Sequence, residues 1–285
     1  MNIRTGLSGV CLLLLSGLVG GAQVQDLPSA TDNHGGFGLP DQRGRRLLLV
    51  TSQVERDRAL TNARPNLAQP ELLKTAVCGD SRRVAMQFDR RQAGGENDGR
   101  ETGRNFEKLA GSVYAVLGGT VDADATCFLA SDALLAGSAV LDLNAPDGSG
   151  ACVQPGRFAA LRNRSVVHCW PVARMGQEKH LALLEFERRG RDALASLAFV
   201  DGSRTMFADL PAEFRGPGED LWRVDDGGVL SPEGLKVVCA LQRGGWYALG
   251  TAWAGAEGRL LSLWTADGSD RFTKVINDYW YQAPR

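Results

Sequence analysis

General acid–base chemistry in this chain rests on three imidazoles, His34, His168 and His180. His34 lies in a stretch rich in Gly, Pro and Asp that cannot bury much apolar surface, which leaves His168 and His180 as the catalytic candidates. A nucleophile and its base must sit within hydrogen-bond reach, whereas neighbours along a strand point to opposite faces. In the run Val166-Val167-His168-Cys169-Trp170, Cys169 is therefore badly placed to partner His168. His180 stands just before an apolar run at Leu181 and needs a Ser, Asp or Cys delivered from a distant segment, as any triad does. No Gly-x-Ser-x-Gly elbow, phosphate-binding glycine loop or His-Glu-x-x-His helix occurs. Asp122-Ala123-Asp124 and Asp267-Gly268-Ser269-Asp270 space oxygen ligands as calcium sites do, yet neither continues into the loop ending in Glu that an EF-hand requires. They read as turn aspartates, and neither metal nor cofactor is expected.

Indoles offer a second chemistry. A flat apolar face with one N–H donor suits sugar rings, peptides and partner proteins. Five of the tryptophans, Trp222, Trp246, Trp253, Trp264 and Trp280, gather in the last quarter of the chain, and Trp246, Trp253 and Trp264 are the candidates for a ligand platform. Trp246 and Trp253 are an odd number of residues apart in one apolar run, so they face opposite ways and at least one enters the core. Core packing competes with the platform for the same side chains.

Six cysteines are present, of which Cys11 falls in an N-terminal apolar stretch and Cys78, Cys127, Cys152, Cys169 and Cys239 remain. No CxxC pair occurs, which removes the thioredoxin-like and zinc-knuckle readings. In an oxidising compartment these thiols give two disulfides and one free thiol, and buried free thiols are the alternative. Cys127 with Cys152 is the favoured pair, because the two bracket a short segment that turns at Asp147-Gly148.

The compartment follows from the N-terminus. Arg4, the apolar run Val10–Val19 and then Gly20-Gly21-Ala22 have the order of a cleavable signal peptide, with cleavage expected after Ala22. The apolar run is too short to span a bilayer, and no second one exists. The expected location is extracytoplasmic, periplasmic or secreted, with no transmembrane span in the mature chain. Residues 23 to 45 read as a flexible leader on composition, and 46 to 285 as a β-rich globular region, divisible into two lobes near 150–165. A formal net charge of −1 argues against a nucleic-acid binder.

The elements that must position these groups are strands. Val84, Met86 and Phe88 alternate with polar residues. Leu47–Ser52, Leu181–Arg188, Leu194–Val200, Arg204–Leu210, Lys236–Gln242, Trp246–Trp253 and Arg259–Ala266 have strand length, and Asp201-Gly202, Asp226-Gly227 and Asp267-Gly268 are hairpin turn signals. Pro70 starts a short helix, and residues 275 to 280 fit either a short helix or a final strand. Several strands are apolar on both faces and so are covered on two sides. The expected fold is mainly β, an antiparallel sandwich or barrel-like meander with one or two short helices. The expected function is a non-enzymatic binding module for a protein or carbohydrate polymer of the cell envelope; the alternatives are a secreted hydrolase built on His180 or His168, and a purely structural subunit.

Overall fold

The computed structural model describes residues 35–50, 69–79, 81–146, 152, 154–176, 178–216, 230–255 and 257–282. The segment expected to be a signal peptide, Trp222, and the turn signals at Asp147-Gly148 and Asp226-Gly227 lie outside them. The chain is mainly β and antiparallel, as its alternation and turn chemistry require.

Six strands close into a barrel: β1 (Gly35–Pro40), β2 (Arg46–Val50), β3 (Leu73–Cys78), β4 (Arg83–Gln92), β5 (Gly111–Val116) and β6 (Cys127–Ser131), in the order β1-β2-β5-β4-β3-β6. The expectation of a flexible leader up to residue 45 is corrected here, since β1 pairs with both β2 and β6. Composition misled because the glycines of β1 are packing residues. A Cβ on Gly35 would lie 2.6 Å from the Phe128 ring and one on Gly38 only 2.1 Å from Leu129, so bare backbone lets β1 approach the large side chains of β6. Phe37 then buries its whole ring between them, against Phe128.

The β1–β2 turn is held by Asp41, whose carboxylate accepts from Arg43 N at 3.2 Å, Arg45 N at 2.8 Å and Arg46 Nε at 3.0 Å. Burial pushes the Asp41 pKa up, but the Arg46 guanidinium and the backbone amides of Arg45 and Arg46 outweigh that and hold it below the ordinary value of 3.8. A depressed carboxylate contributes stability above its unfolded pKa and loses it as pH falls through the folded one. Asp41→Asn is expected to cost about 1–3 kcal/mol at neutral pH. The gap between mutant and wild type in thermal unfolding should close as the pH drops below 3.8, and a gap that persists undiminished in acid would refute the charge-based account.

After β6, Ser131 caps α1 (Asp132–Leu135) by accepting from Leu134 N at 3.2 Å, and the chain enters two five-stranded sheets. The middle sheet contains β7 (Ala139–Val140), β13 (Leu235–Arg243), β14 (Trp246–Ala254), β15 (Gly258–Asp267) and β16 (Thr273–Tyr281), in the order β16-β15-β14-β13-β7. The outer sheet contains β8 (Leu143–Asn144), β9 (Val166–Met175), β10 (Lys179–Phe186), β11 (Asp192–Asp201) and β12 (Arg204–Glu213), in the order β12-β11-β10-β9-β8. Asp201-Gly202 closes the β11–β12 hairpin, as the sequence suggested. The C-terminal ambiguity resolves as a strand.

Layering follows from β14. Trp246, Ala248 and Ala252 pack with the barrel residues Phe37, Leu48 and Phe128, while Tyr247, Leu249 and Trp253 pack with the outer-sheet residues Leu183, Leu197 and Phe199. The middle sheet is thus apolar on both faces because the barrel covers one and the outer sheet the other. Each large side chain so buried stabilises by roughly 1.5–3 kcal/mol. α2 (Pro155–Arg162), with Pro at its first turn, covers the far face of the outer sheet through Phe158.

Two disulfides form, Cys78–Cys127 and Cys152–Cys169, and Cys239 is a buried free thiol. The favoured Cys127–Cys152 pairing is corrected: Cys127 sits directly opposite Cys78 in the β3–β6 ladder, with the Cα atoms 4.2 Å apart. Ladder neighbours, and not chain proximity, chose the partner. Burial raises the Cys239 pKa to about 12, which leaves almost no thiolate to react. In a chain cleaved after Ala22, and so without Cys11, iodoacetamide should therefore label no cysteine in the native protein and one after unfolding without reductant; native labelling of Cys239 would contradict its burial.

Candidate binding cleft

The residues singled out from sequence do not converge. His168 Nδ1 lies 2.8 Å from Glu185 Oε2, directly across the β9–β10 ladder, and its ring stacks on Trp170 with centroids 5.1 Å apart. Its side chain is 56 % exposed, and its neighbour Cys169 is consumed in a disulfide. Among the described residues this histidine–carboxylate pair hydrogen-bonds no hydroxyl or thiol. His180 sits on β10 opposite Val200 and Arg174, and neither histidine lines the large cleft described below.

Trp246, Trp253 and Trp264 are 7 %, 8 % and 5 % exposed. The platform reading of these three is corrected, because each fills one of the two interlayer cores and presents no face to solvent. Trp264 places its polar edge inside as well, donating from Nε1 to Thr251 Oγ1 at 3.2 Å.

What the structure does assemble is a cleft of about 910 Å³ where the three layers meet. Its origin is a strand that changes sheets. β7 and β8 are two-residue stubs joined through Leu141 and Asp142, so this segment pairs with β13 in the middle sheet and then with β9 in the outer one. Ser81 clamps the crossing: its hydroxyl donates to Leu141 O at 2.9 Å and accepts from Leu143 N at 2.8 Å. Ser81 holds φ at 62°, a left-handed conformation that costs an L residue roughly 1–2 kcal/mol, offset here by those two bonds. Because the chain leaves β13 after Leu141 N bonds Ala240 O at 2.9 Å, no strand among the described residues pairs beside Leu235–Val238, and this edge becomes one wall.

The other walls are the barrel rim at Gly79 and Asp122–Thr126, the outer-sheet residues Leu143, Val172 and Ala173, and the β14–β15 connection. Arg82, Lys236 and Arg259 stand among Asp122, Asp124, Glu233 and Glu257, a nearly balanced set of charges. Arg259 Nη1 is fixed by Thr126 Oγ1 at 3.2 Å and Asp124 O at 3.4 Å. The described lining carries no aromatic ring, imidazole, serine or free thiol, since Cys78 is disulfide-bonded. Such a surface is equipped to bind through main-chain groups and a few charges.

Sequence inspection passed over this site. Asp122 and Asp124 were noticed only as turn aspartates, and the other signal was the broken apolar pattern Ala139-Val140-Leu141-Asp142-Leu143, too short on either side of Asp142 to read as a strand. Comparison with family models, with curated proteins and with solved structures yields no match.

Proposed function

We propose that this chain is a non-enzymatic binding module of an extracytoplasmic compartment, with the three-layer cleft as its ligand site. The observation that carries this reading is the cleft itself: its volume falls within the range of about 300–1,000 Å³ typical of ligand pockets, and its described lining offers charges and backbone but no imidazole, serine or free thiol. The two disulfides suit an oxidising compartment, and among the described residues no helix is long and apolar enough to cross a membrane. Balanced lining charge favours a protein partner over nucleic acid. The missing aromatic face weighs against a carbohydrate polymer, whose rings stack on such faces.

The test is a thermal-shift screen of short peptides, soluble glycans and organic acids against the wild-type protein and Gly79→Leu, a substitution that fills the cleft. A ligand at 100 times its Kd stabilises the folded state by about 2.7 kcal/mol. A stabilisation that disappears in Gly79→Leu supports the reading. Stabilisation indifferent to that substitution contradicts it, as does turnover of a hydrolase reporter substrate that His168→Ala or His180→Ala abolishes.

A further inference from the structure

We infer that the cleft takes an extended polypeptide, which adds as a strand to the open edge of β13 and runs antiparallel to it in line with β7. This rests on the cleft being the ligand site.

The ladder shows which groups are available. Ala254 N bonds Gly234 O at 2.8 Å, and Leu235, Lys236 and Val237 stand opposite Trp253, Ala252 and Thr251. In an antiparallel pair every second residue bonds its partner, so Gly234 and Lys236 point their main-chain groups at β14 while Leu235 and Val237 point theirs away; Leu235 N is taken by Pro232 O at 3.3 Å, which leaves the Leu235 carbonyl and the main-chain groups of Val237 for a ligand. The next residue, Val238, is the extra one of a bulge, which lengthens the unpaired stretch. Among the described residues no strand pairs Leu235–Val238 on that side, because β7 engages β13 only around Ala240–Gln242. The Val237 carbonyl faces the cleft: its oxygen is the nearest atom, at 4.0 Å, to where a Cβ on Gly79 would stand.

The surfaces flanking this edge carry small residues. Gly79, Ala125 and Ala173 reduce side-chain bulk where a strand would pass. A main-chain ligand also fits the charge balance, since a peptide backbone is neutral and satisfies an exposed sheet edge through hydrogen bonds at every second residue. Side chains of an added strand alternate between two walls. One wall is apolar, with Leu143, Val172 and Ala173; the other is polar, with Arg82, Asp122 and Asp124. The preferred sequence therefore alternates small apolar with polar residues.

The experiment uses the disulfide-bonded full chain and an array of capped hexapeptides, half alternating Ala or Val with Ser, Lys or Glu and half with the same composition scrambled. Binders are then re-measured after N-methylation at each position in turn. The expected result is selection of the alternating peptides, about tenfold loss on N-methylation at every second position, and little change at the positions between. Val237→Pro should reproduce the loss, because its N–H points into the cleft and proline is tolerated on a strand edge. If that variant does not fold, Gly79→Leu serves in its place. Peptides that bind with no alternating N-methyl pattern overturn strand addition while leaving the cleft as the ligand site. Glycans or organic acids that bind at the cleft in place of peptides do the same. A concentration-dependent dimer that Val237→Pro abolishes assigns the edge to a second copy and also overturns the peptide. No cleft-dependent ligand of any kind removes the functional reading itself.

Discussion

Replacing Cys78 and Cys127 together by alanine should lower the stability of the folded chain by about 4 kcal/mol, the chain-entropy value for a cross-link spanning 49 residues. In a domain of this size that corresponds to a fall in Tm of roughly 8–16 °C. The bond joins the end of β3 to the start of β6 and so closes the barrel on the side where it borders the cleft. Both cysteines are buried, so the alanine pair also leaves a small void, and the entropic figure understates the loss. Denaturant unfolding without reductant is the direct measurement. A loss below about 1 kcal/mol would mean that the barrel closes without the bond. Loosening here reaches the site, because Gly79 follows Cys78 directly and faces the Val237 carbonyl. Ligand affinity should fall in the same variant even at temperatures where it remains folded.

Trp280→Ala is the second large effect, expected to cost about 3–5 kcal/mol. Trp280 is fully buried on β16, within the cluster that joins the middle sheet to the barrel. Its Nε1 has no hydrogen-bond partner among the described residues, so the indole acts there through packing. Trp280→Phe should consequently be far milder, keeping an aromatic ring and breaking no bond. If Trp280→Ala costs no more than about 0.5 kcal/mol, like an ordinary surface change, the barrel and the middle sheet are not held together at this point.

The second half of the fold was legible because its strands carry their information locally. β10 through β12 and β13 through β15 each alternate or run apolar for a strand's length, and Asp201-Gly202 states its hairpin outright. Trp246 and Trp253 also separated as their spacing required, one to each face of the middle sheet. β1 was not legible. Its glycines look like disorder until Phe128 and Leu129 are seen lying against them, and that contact is made by residues some ninety positions away.

The disulfide partners failed for the same reason, since the ladder that sets Cys78 opposite Cys127 depends on the barrel having closed. The cleft was the least visible feature of all. It is produced by a strand that leaves one sheet for another, and its wall at Leu235–Val238 is an edge that no strand among the described residues pairs. Histidines and tryptophans drew attention through their chemistry, yet His168 pairs with Glu185 at the surface and the three indoles serve the core.

The most direct test of the cleft as the ligand site is a backbone amide chemical-shift map of the protein titrated with its best-binding hexapeptide. The expected result is a set of shifts centred on Gly79, Ala125, Ala173 and Leu235–Val238, absent when the same titration is run on Gly79→Leu. Shifts centred instead on His168, Trp170 and Glu185, or shifts that survive the cleft-filling substitution, would contradict it.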